Sequence, residues 1–224
     1  MAIVYNTSVV RTGLQVWLDA ANVKSYPGSG TTWTDLSGNG RTGTLSGGAS
    51  YISSNNGGIF FDGTDDLVTV ASTATFTSTL TVECWYRGTK AGRNHLWNIN
   101  GASSSSSLYC DLNDTGYGIW MYWESGGGNA IRFSGSGAYT DNTFRHFVFV
   151  HNGSTNQVYM NNVLLTPTDT IGTQTFAGVG GTNITVGGDP AFGGTINTFR
   201  VYNIALTASQ IDQNYQALRG RYGV

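Results

Sequence analysis

The segment Phe192–Leu218, FGGTINTFRVYNIALTASQIDQNYQAL, predicts a strand that runs directly into a helix. Two kinds of side chain alternate in its first half, so one face is expected to carry Ile196, Thr198, Arg200 and Tyr202, and the other Asn197, Phe199 and Val201. Thr207 stands three residues before Gln210, the spacing of a capping box, and Leu206 and Ile211 fit a hydrophobic staple. The segment therefore predicts the last strand of a β-structure followed by one short amphipathic helix.

The chain before this segment reads as a series of short strands. From Ile59 onward, strand candidates recur at intervals of about 8–12 residues between turn signals, which is the spacing of a β-sandwich. Within Phe144–His151, Phe147 and Phe149 share one face, and the other face is also largely apolar, so this is expected to be a central strand. Asn161-Asn162 is expected to form a two-residue hairpin turn with positive φ.

Length and composition favour one all-β domain. The chain has 224 residues, a size that a single sandwich can reach. Charged residues make up 11% of it, against about 25% in an average globular chain, while 39% of its residues are hydrophobic. We expect an N-terminal arm over residues 1–12 and a single domain over residues 13–224.

Short motifs along the chain resemble, in their order and spacing, those of the laminin-G-like, concanavalin A-like lectin/glucanase jelly-roll family. The matching stretches are Phe61–Asp66 (FDGTDD), Leu80–Trp85 (LTVECW), Phe144–Phe149 (FRHFVF), Val158–Asn162 (VYMNN), Ile184–Gly188 (ITVGG) and Phe199–Ile211 (FRVYNIALTASQI). The resemblance implies an all-β fold, a two-sheet antiparallel jelly-roll sandwich with one short C-terminal helix. The chain departs from the family at Asn197 and Thr198, where relatives often carry acidic residues.

The opening of the chain is similar to laminin-G-like proteins encoded by tailed bacteriophages, through Leu14–Asp19 and Trp33–Gly40. This resemblance implies a non-enzymatic virion structural protein, a capsid decoration or a tail or fibre appendage. Its partners would be other capsid or tail subunits, a host-surface glycan and further copies of itself, and its location the virion. The alternative is a carbohydrate-binding, lectin-like module of a secreted or surface protein, assisted by calcium.

Charge and hydropathy argue against two other classes of partner. The formal charge is −2 and the basic residues are scattered, so no stripe is available to neutralise a nucleic acid backbone. The sequence contains no apolar run long enough to span a bilayer, and Met1–Thr7 lacks the features of a signal peptide. Without an export signal, free buried thiols are favoured over a disulfide between Cys84 and Cys110.

Catalytic residues are not predicted. Glycoside hydrolysis needs two carboxylates about 5–9.5 Å apart, yet the chain has only two glutamates, Glu83 and Glu124. Neither lies in the Glu-x-Asp-x-x-Glu pattern that glucanases of the resembled family carry. An enzyme would therefore have to pair carboxylates from different strands, such as Glu83 with Asp111 or Glu124 with Asp114.

The histidines His95, His146 and His151 are too widely separated to indicate a metal triad, and structural roles are favoured for all three. The acidic cluster of Asp62, Asp65 and Asp66 is a candidate calcium site, because a hard cation prefers oxygen ligands. The favoured alternative is that Asp62 and Asp65 cap backbone N–H groups in a tight turn. No other cofactor is predicted.

Aromatic side chains are the candidate ligand-binding residues. In Tyr117–Trp123, Trp120 and Tyr122 share one face of a predicted strand, and Met121 and Trp123 share the other. Stacking on sugar rings is one interpretation of the first pair, and packing of a central strand on both sides is the favoured one. Trp33 and Trp97, which lie near turns, are expected to be more exposed.

Overall fold

The computed structural model describes residues 8–71, 74–76, 78–101, 107–114, 116–123, 128–135, 137–173, 178–188 and 191–224. In chain order its strands are β1 (Leu14–Asp19), β2 (Thr32–Trp33), β3 (Gly43–Ser46), β4 (Ser50–Ile52), β5 (Gly58–Asp62), β6 (Leu67–Ala71), β7 (Thr75–Phe76), β8 (Leu80–Gly88), β9 (Asn94–Gly101), β10 (Leu108–Leu112), β11 (Ile119–Trp123), β12 (Asn129–Phe133), β13 (Arg145–His151), β14 (Asn156–Met160), β15 (Val163–Leu164), β16 (Asp169–Ile171), β17 (Val179–Gly187) and β18 (Gly193–Tyr202). A 3₁₀ turn spans Ser54–Asn56, and helix α1 spans Ala208–Tyr222.

The strands form two antiparallel sheets, as the sequence predicted. Sheet A has the order β15-β14-β13-β8-β18-β5-β4, with β1 also paired to β18. Sheet B has the order β16-β12-β11-β10-β9-β17-β6-β3-β2, with β7 paired to β17. Consecutive strands pass between the sheets, for example from β8 in sheet A to β9 in sheet B, which gives the jelly-roll sandwich.

The inward faces of the two sheets form one apolar core. Sheet A contributes Phe147 and Phe149 from β13, which is a central strand as expected, and sheet B contributes Trp97 at 6.3 Å from each of these rings. Cys84 and Cys110 are buried in this core and are free thiols. The core buries the inward half of each alternating strand, so function must lie on the outward faces or at the loops.

Helix α1 covers the outward face of sheet A. Thr207 caps the helix, and the reciprocal contacts with Gln210 form the predicted capping box. The helix continues beyond Leu218 to Tyr222, because Tyr222 packs on Trp85 with ring centroids 4.5 Å apart. Among the described residues, no helix combines the length and hydropathy needed to cross a membrane.

A β-bulge in β18 changes which of its residues share a face, so the predicted faces are partly wrong. The register with β8 shifts between Ile196 and Thr198, so Asn197 is the extra residue. Ile196 therefore joins Phe199 and Val201 in the core, while Thr198 and the residues that alternate with it face outward. The Asn161-Asn162 hairpin was predicted correctly, with φ values of 49° and 66°.

Candidate functional site

A row of stacked aromatic rings lies on the outward face of sheet B. Strands β10 and β11 alternate, so Cys110, Met121 and Trp123 enter the core while Tyr109, Trp120 and Tyr122 face outward and are partly exposed. Tyr109 and Tyr122 are direct cross-strand partners, and their ring centroids lie 4.7 Å apart. Trp120 and Tyr122 stack at 4.4 Å. The three rings form one continuous apolar row on a face that α1 does not cover.

The two ends of this aromatic row are closed by cationic or titratable side chains. The His95 ring lies 5.2 Å from Tyr109 at one end. At the other end the Arg132 guanidinium lies 3.9 Å from the Trp120 ring centroid, a cation–π contact, and pairs with Asp169 at 3.1 Å. The ring faces are therefore largely covered by one another and by these neighbours, and the row presents mainly its edges outward.

A buried carboxylate organises the polar flank of the row. Asp111 Oδ1 lies 2.7 Å from His95 Nδ1, and Asp111 Oδ2 accepts from Arg93 Nη2 at 2.7 Å and from Arg93 Nε at 2.9 Å. Asp114 Oδ2 lies 3.4 Å from Arg93 Nε. Both carboxylates are thus held by one guanidinium, and Asp111 has no exposed side-chain surface.

The positions of these groups depend on a second β-bulge. The register between β9 and β10 shifts between Cys110 and Asp111, which places His95 opposite Asp111. Sequence reasoning gave His95 a structural role and missed this polar flank, since a bulge has no reliable sequence signal when its residues are ordinary strand formers. The alternation of Tyr109 with Cys110 was the one available indication that this strand also has an aromatic outward face.

The pKa shifts at this site favour the protonated forms of its side chains, which are hydrogen-bond donors. Burial, followed by the charge of Asp111, raises the pKa of Tyr109. Burial and the charge of Asp114 raise the pKa of Tyr122 further. Burial also raises the pKa of Asp114, although Arg93 opposes the shift. Both phenols therefore keep their protons at neutral pH and can donate to an acceptor.

The expected exposure of Trp33 and Trp97 is wrong. Both side chains are fully buried in the core, because Trp33 lies in β2 next to β3, and Trp97 points at Phe147 and Phe149 across the sandwich. A position close to a turn does not decide which face of a strand a residue occupies. Neither tryptophan can stack on a ligand in this fold.

The favoured interpretation of Trp120 and Tyr122 as core residues is also wrong, because the core takes Met121 and Trp123 instead. The alternative interpretation, an outward-facing aromatic pair, fits the structure. Their role as binding residues stays a prediction.

The acidic cluster at the β5–β6 turn has a structural explanation for two of its three members. Asp62 Oδ1 accepts from the Thr64 N–H at 2.7 Å, and Asp66 Oδ2 accepts from the Asp62 N–H at 2.7 Å. The capping residues are therefore Asp62 and Asp66, not Asp62 and Asp65. One carboxylate oxygen from each of the three residues lies within 4.8 Å of the others, a spacing compatible with calcium, and calcium binding stays a prediction.

The structure does not bring the carboxylates of Glu83 and Asp111 together as a pair. Glu83 is fully buried on the outward face of sheet A beneath α1, whereas Asp111 lies on the outward face of sheet B. The two groups are therefore separated by the whole sandwich. Glu124, and with it the pair Glu124–Asp114, lies outside the described residues.

The family model described as the concanavalin A-like lectin/glucanases superfamily matches residues 62–212. No curated protein sequence matches the chain. Similar solved structures include the binding domain of a paraclostridial mosquitocidal protein, with a TM-score of 0.69, 16% identity and coverage of 91% of this chain and 52% of that one.

Two further structures show the same fold similarity. The botulinum neurotoxin serotype D binding domain has a TM-score of 0.69 and 12% identity over 92% of this chain and 52% of that one. A Trypanosoma rangeli sialidase has a TM-score of 0.68 and 13% identity over 93% of this chain and 33% of that one. The chain thus spans about half the length, or less, of the structures it matches, and the similarity concerns the fold.

Proposed function

Because the chain belongs to the concanavalin A-like lectin/glucanase superfamily, we propose that it is a non-catalytic glycan-binding module whose binding face is the outward face of sheet B. The observation that carries this proposal is the aromatic row of Tyr109, Tyr122 and Trp120 on the sheet face that α1 leaves uncovered. A soluble β-sheet rarely exposes such a row without a partner to bury it.

The chemistry of this face suits a sugar. The C–H groups of a pyranose ring pack against the ring edges that the row presents outward, and its hydroxyl groups need both donors and acceptors at the rim. The Tyr109 hydroxyl and the partly exposed Arg93 guanidinium supply donors, and beside them Asp114 is hydrogen-bonded to Tyr122.

Similar structures support a binding role for this fold. One botulinum neurotoxin binding domain was solved in complex with rat synaptotagmin II, and the cell entry of botulinum neurotoxin type C depends on two ganglioside molecules. A sialidase shares the fold as well. Hydrolysis would need a carboxylic acid free to donate its proton, whereas Asp111 and Asp114 are both engaged by Arg93.

Replacing Trp120 or Tyr122 by alanine is expected to weaken glycan binding at least about tenfold, since the first change removes the ring at one end of the row and the second removes the ring at its centre. Glycan-array screening with and without a chelator identifies the glycan and tests calcium dependence, and isothermal titration calorimetry then measures the affinity. The matched control is Phe60→Ala, which removes a half-exposed ring from sheet A. Equal losses for all three variants, or no glycan bound by the unmodified chain, would contradict the proposal.

We further propose, from the resemblance of the opening segment, that the module is carried on a tailed-phage particle with other virion proteins as partners. The arm predicted over residues 1–12, and within it residues 1–7, which lie outside the described residues, would then dock on a neighbouring subunit by strand addition. Residues just after them belong to the domain, because the Val10 N–H donates to Asn214 Oδ1 of α1 at 2.8 Å.

Deleting residues 1–7 is therefore expected to abolish incorporation into particles without unfolding the domain. Electron microscopy and protein composition of purified particles measure incorporation, and thermal unfolding of the isolated chain controls for stability. Incorporation at the level of the full chain would refute the docking role.

A further inference from the structure

A cleft lies at the end of the sandwich next to the aromatic row. Its volume is about 370 Å³, and its lining residues are Thr89, Ala91, Gly92, Asn113, Gly137 and Thr140. Gly92 and Asn113 directly precede Arg93 and Asp114, the ion pair that flanks the aromatic row. The polar flank thus separates two neighbouring surfaces, the row on one side and the cleft on the other.

The cleft has a fixed floor. Asn113 is almost fully buried and has a left-handed backbone, with φ of 56°. Its side chain holds the 137–140 loop, because Nδ2 donates to Thr140 Oγ1 and Oδ1 accepts from the Gly137 N–H at 2.7 Å. The Asn142 N–H donates to Gly88 O at 2.9 Å and ties the same loop to β8. A ligand would therefore enter a preformed site.

The lining selects for a neutral, hydroxyl-rich group. Its described lining residues carry no charged side chain and are two threonines, one asparagine and three small residues. Because Thr140 Oγ1 accepts from Asn113, its own proton is directed elsewhere and is available to a ligand acceptor. Thr89, the other threonine of the lining, is exposed. The volume lies within the range of about 300–1,000 Å³ found for small-molecule sites.

We propose that this cleft is a second subsite, which takes a neutral sugar residue at one end of a linear oligosaccharide whose other residues lie on the aromatic row. The inference rests on the proposed glycan-binding function. It makes the module selective for chain length, because a disaccharide on the row does not reach the cleft, whereas a longer chain fills both surfaces.

Calorimetry with cello-, malto- and xylo-oligosaccharides of two and six residues tests this subsite. The hexasaccharide of the bound series is expected to bind at least about tenfold more tightly than the disaccharide, the increment expected of one additional subsite. Ala91→Trp, which fills the cleft, should reduce hexasaccharide affinity to the disaccharide level and leave disaccharide binding unchanged. Val23→Trp, on a distant exposed turn, is the matched control.

Two results separate this inference from the function on which it rests. If Ala91→Trp keeps the full gain with chain length, or if the unmodified chain shows no gain, the second subsite is refuted while the aromatic row stands. If neither length binds in any series, the subsite for a neutral sugar is refuted, and the glycan array decides separately whether the aromatic row binds another glycan. Amide chemical shifts of Gly92 and Gly137 should change with the hexasaccharide and not with the disaccharide, and their silence would also refute the subsite.

Discussion

Replacing Glu83 by alanine is expected to lower the free energy of unfolding by about 3–5 kcal/mol, the usual result of removing one partner from a buried ion pair. Glu83 Oε1 accepts from Arg200 Nη2 at 2.9 Å and contacts His146 Nε2 at 2.6 Å, and Oε2 accepts from Asn214 Nδ2 at 2.7 Å. The Glu83, Arg200 and His146 side chains have no solvent exposure.

The large effect follows from what the substitution would leave behind. Among the described residues, Arg200 Nε and Nη1 already lack hydrogen-bond partners, so without Glu83 the guanidinium would be a buried charge that has lost its hydrogen-bonded carboxylate. The same carboxylate ties strand β8 to α1 through Asn214, which also receives the Val10 N–H. One residue therefore holds the helix, the sheet and the N-terminal segment together.

Urea unfolding at neutral pH measures this loss. Asp169→Ala is the matched control, since the Arg132–Asp169 pair is partly exposed and its removal should cost about 1 kcal/mol or less. A Glu83→Ala loss as small as that of the control would show that the buried network is not a main source of stability.

The same carboxylate makes stability depend on acid. Burial raises the pKa of Glu83, but the Arg200 charge and the bonds from His146 and Asn214 outweigh burial and hold the pKa below its ordinary value of 4.5. On acidification, the unfolded chain protonates Glu83 at a higher pH than the folded chain does. The stability that this carboxylate contributes is therefore fully present above pH 4.5 and is lost as the pH falls through the lower pKa of the folded chain. Glu83→Gln should remove this part of the acid sensitivity, measured as the difference between urea titrations at pH 7 and pH 3.

Much of the fold could be predicted from the sequence, because the sequence patterns that indicate it involve residues close together in the chain. The capping box at Thr207, the asparagine turn and the alternation of β13 each involve residues within a few positions of one another. The bulges at Asn197 and beside His95 could not be predicted from the sequence, because they depend on which strands pair with each other. They decide that Ile196 enters the core and that His95 meets Asp111.

Only part of the candidate site could be predicted from the sequence, for a related reason. Alternation in β11 divides Trp120 and Tyr122 from Met121 and Trp123, but nothing local to the strand says which pair faces the core. Strand β8 alternates in the same way, and there both faces are buried, because α1 covers the outward one. The difference between an aromatic binding face and an aromatic packing face is set by an element more than 80 residues further along the chain.

Two substitutions of the same kind should separate these two faces. Trp85→Ala, on the outward face of sheet A, is expected to cost about 3–5 kcal/mol of unfolding free energy. The Trp85 ring is fully buried and is stacked by Tyr222 at 4.5 Å, by His146 at 4.9 Å and by Tyr215 at 5.7 Å. Its removal would leave a cavity that α1 cannot fill without losing its register on the sheet.

Trp120→Ala, on the outward face of sheet B, should cost about 1 kcal/mol of stability and most of the glycan affinity, because its ring is partly exposed and belongs to the aromatic row. Conversely, folded Trp85→Ala should bind glycan as tightly as the unmodified chain does when both are measured at the same denaturant concentration. Denaturant unfolding and calorimetry on both variants give a two-by-two comparison. A large stability loss in Trp120→Ala would mean that the row is a packing surface, and a glycan-binding defect in folded Trp85→Ala would move the binding face to the helix side of the sandwich.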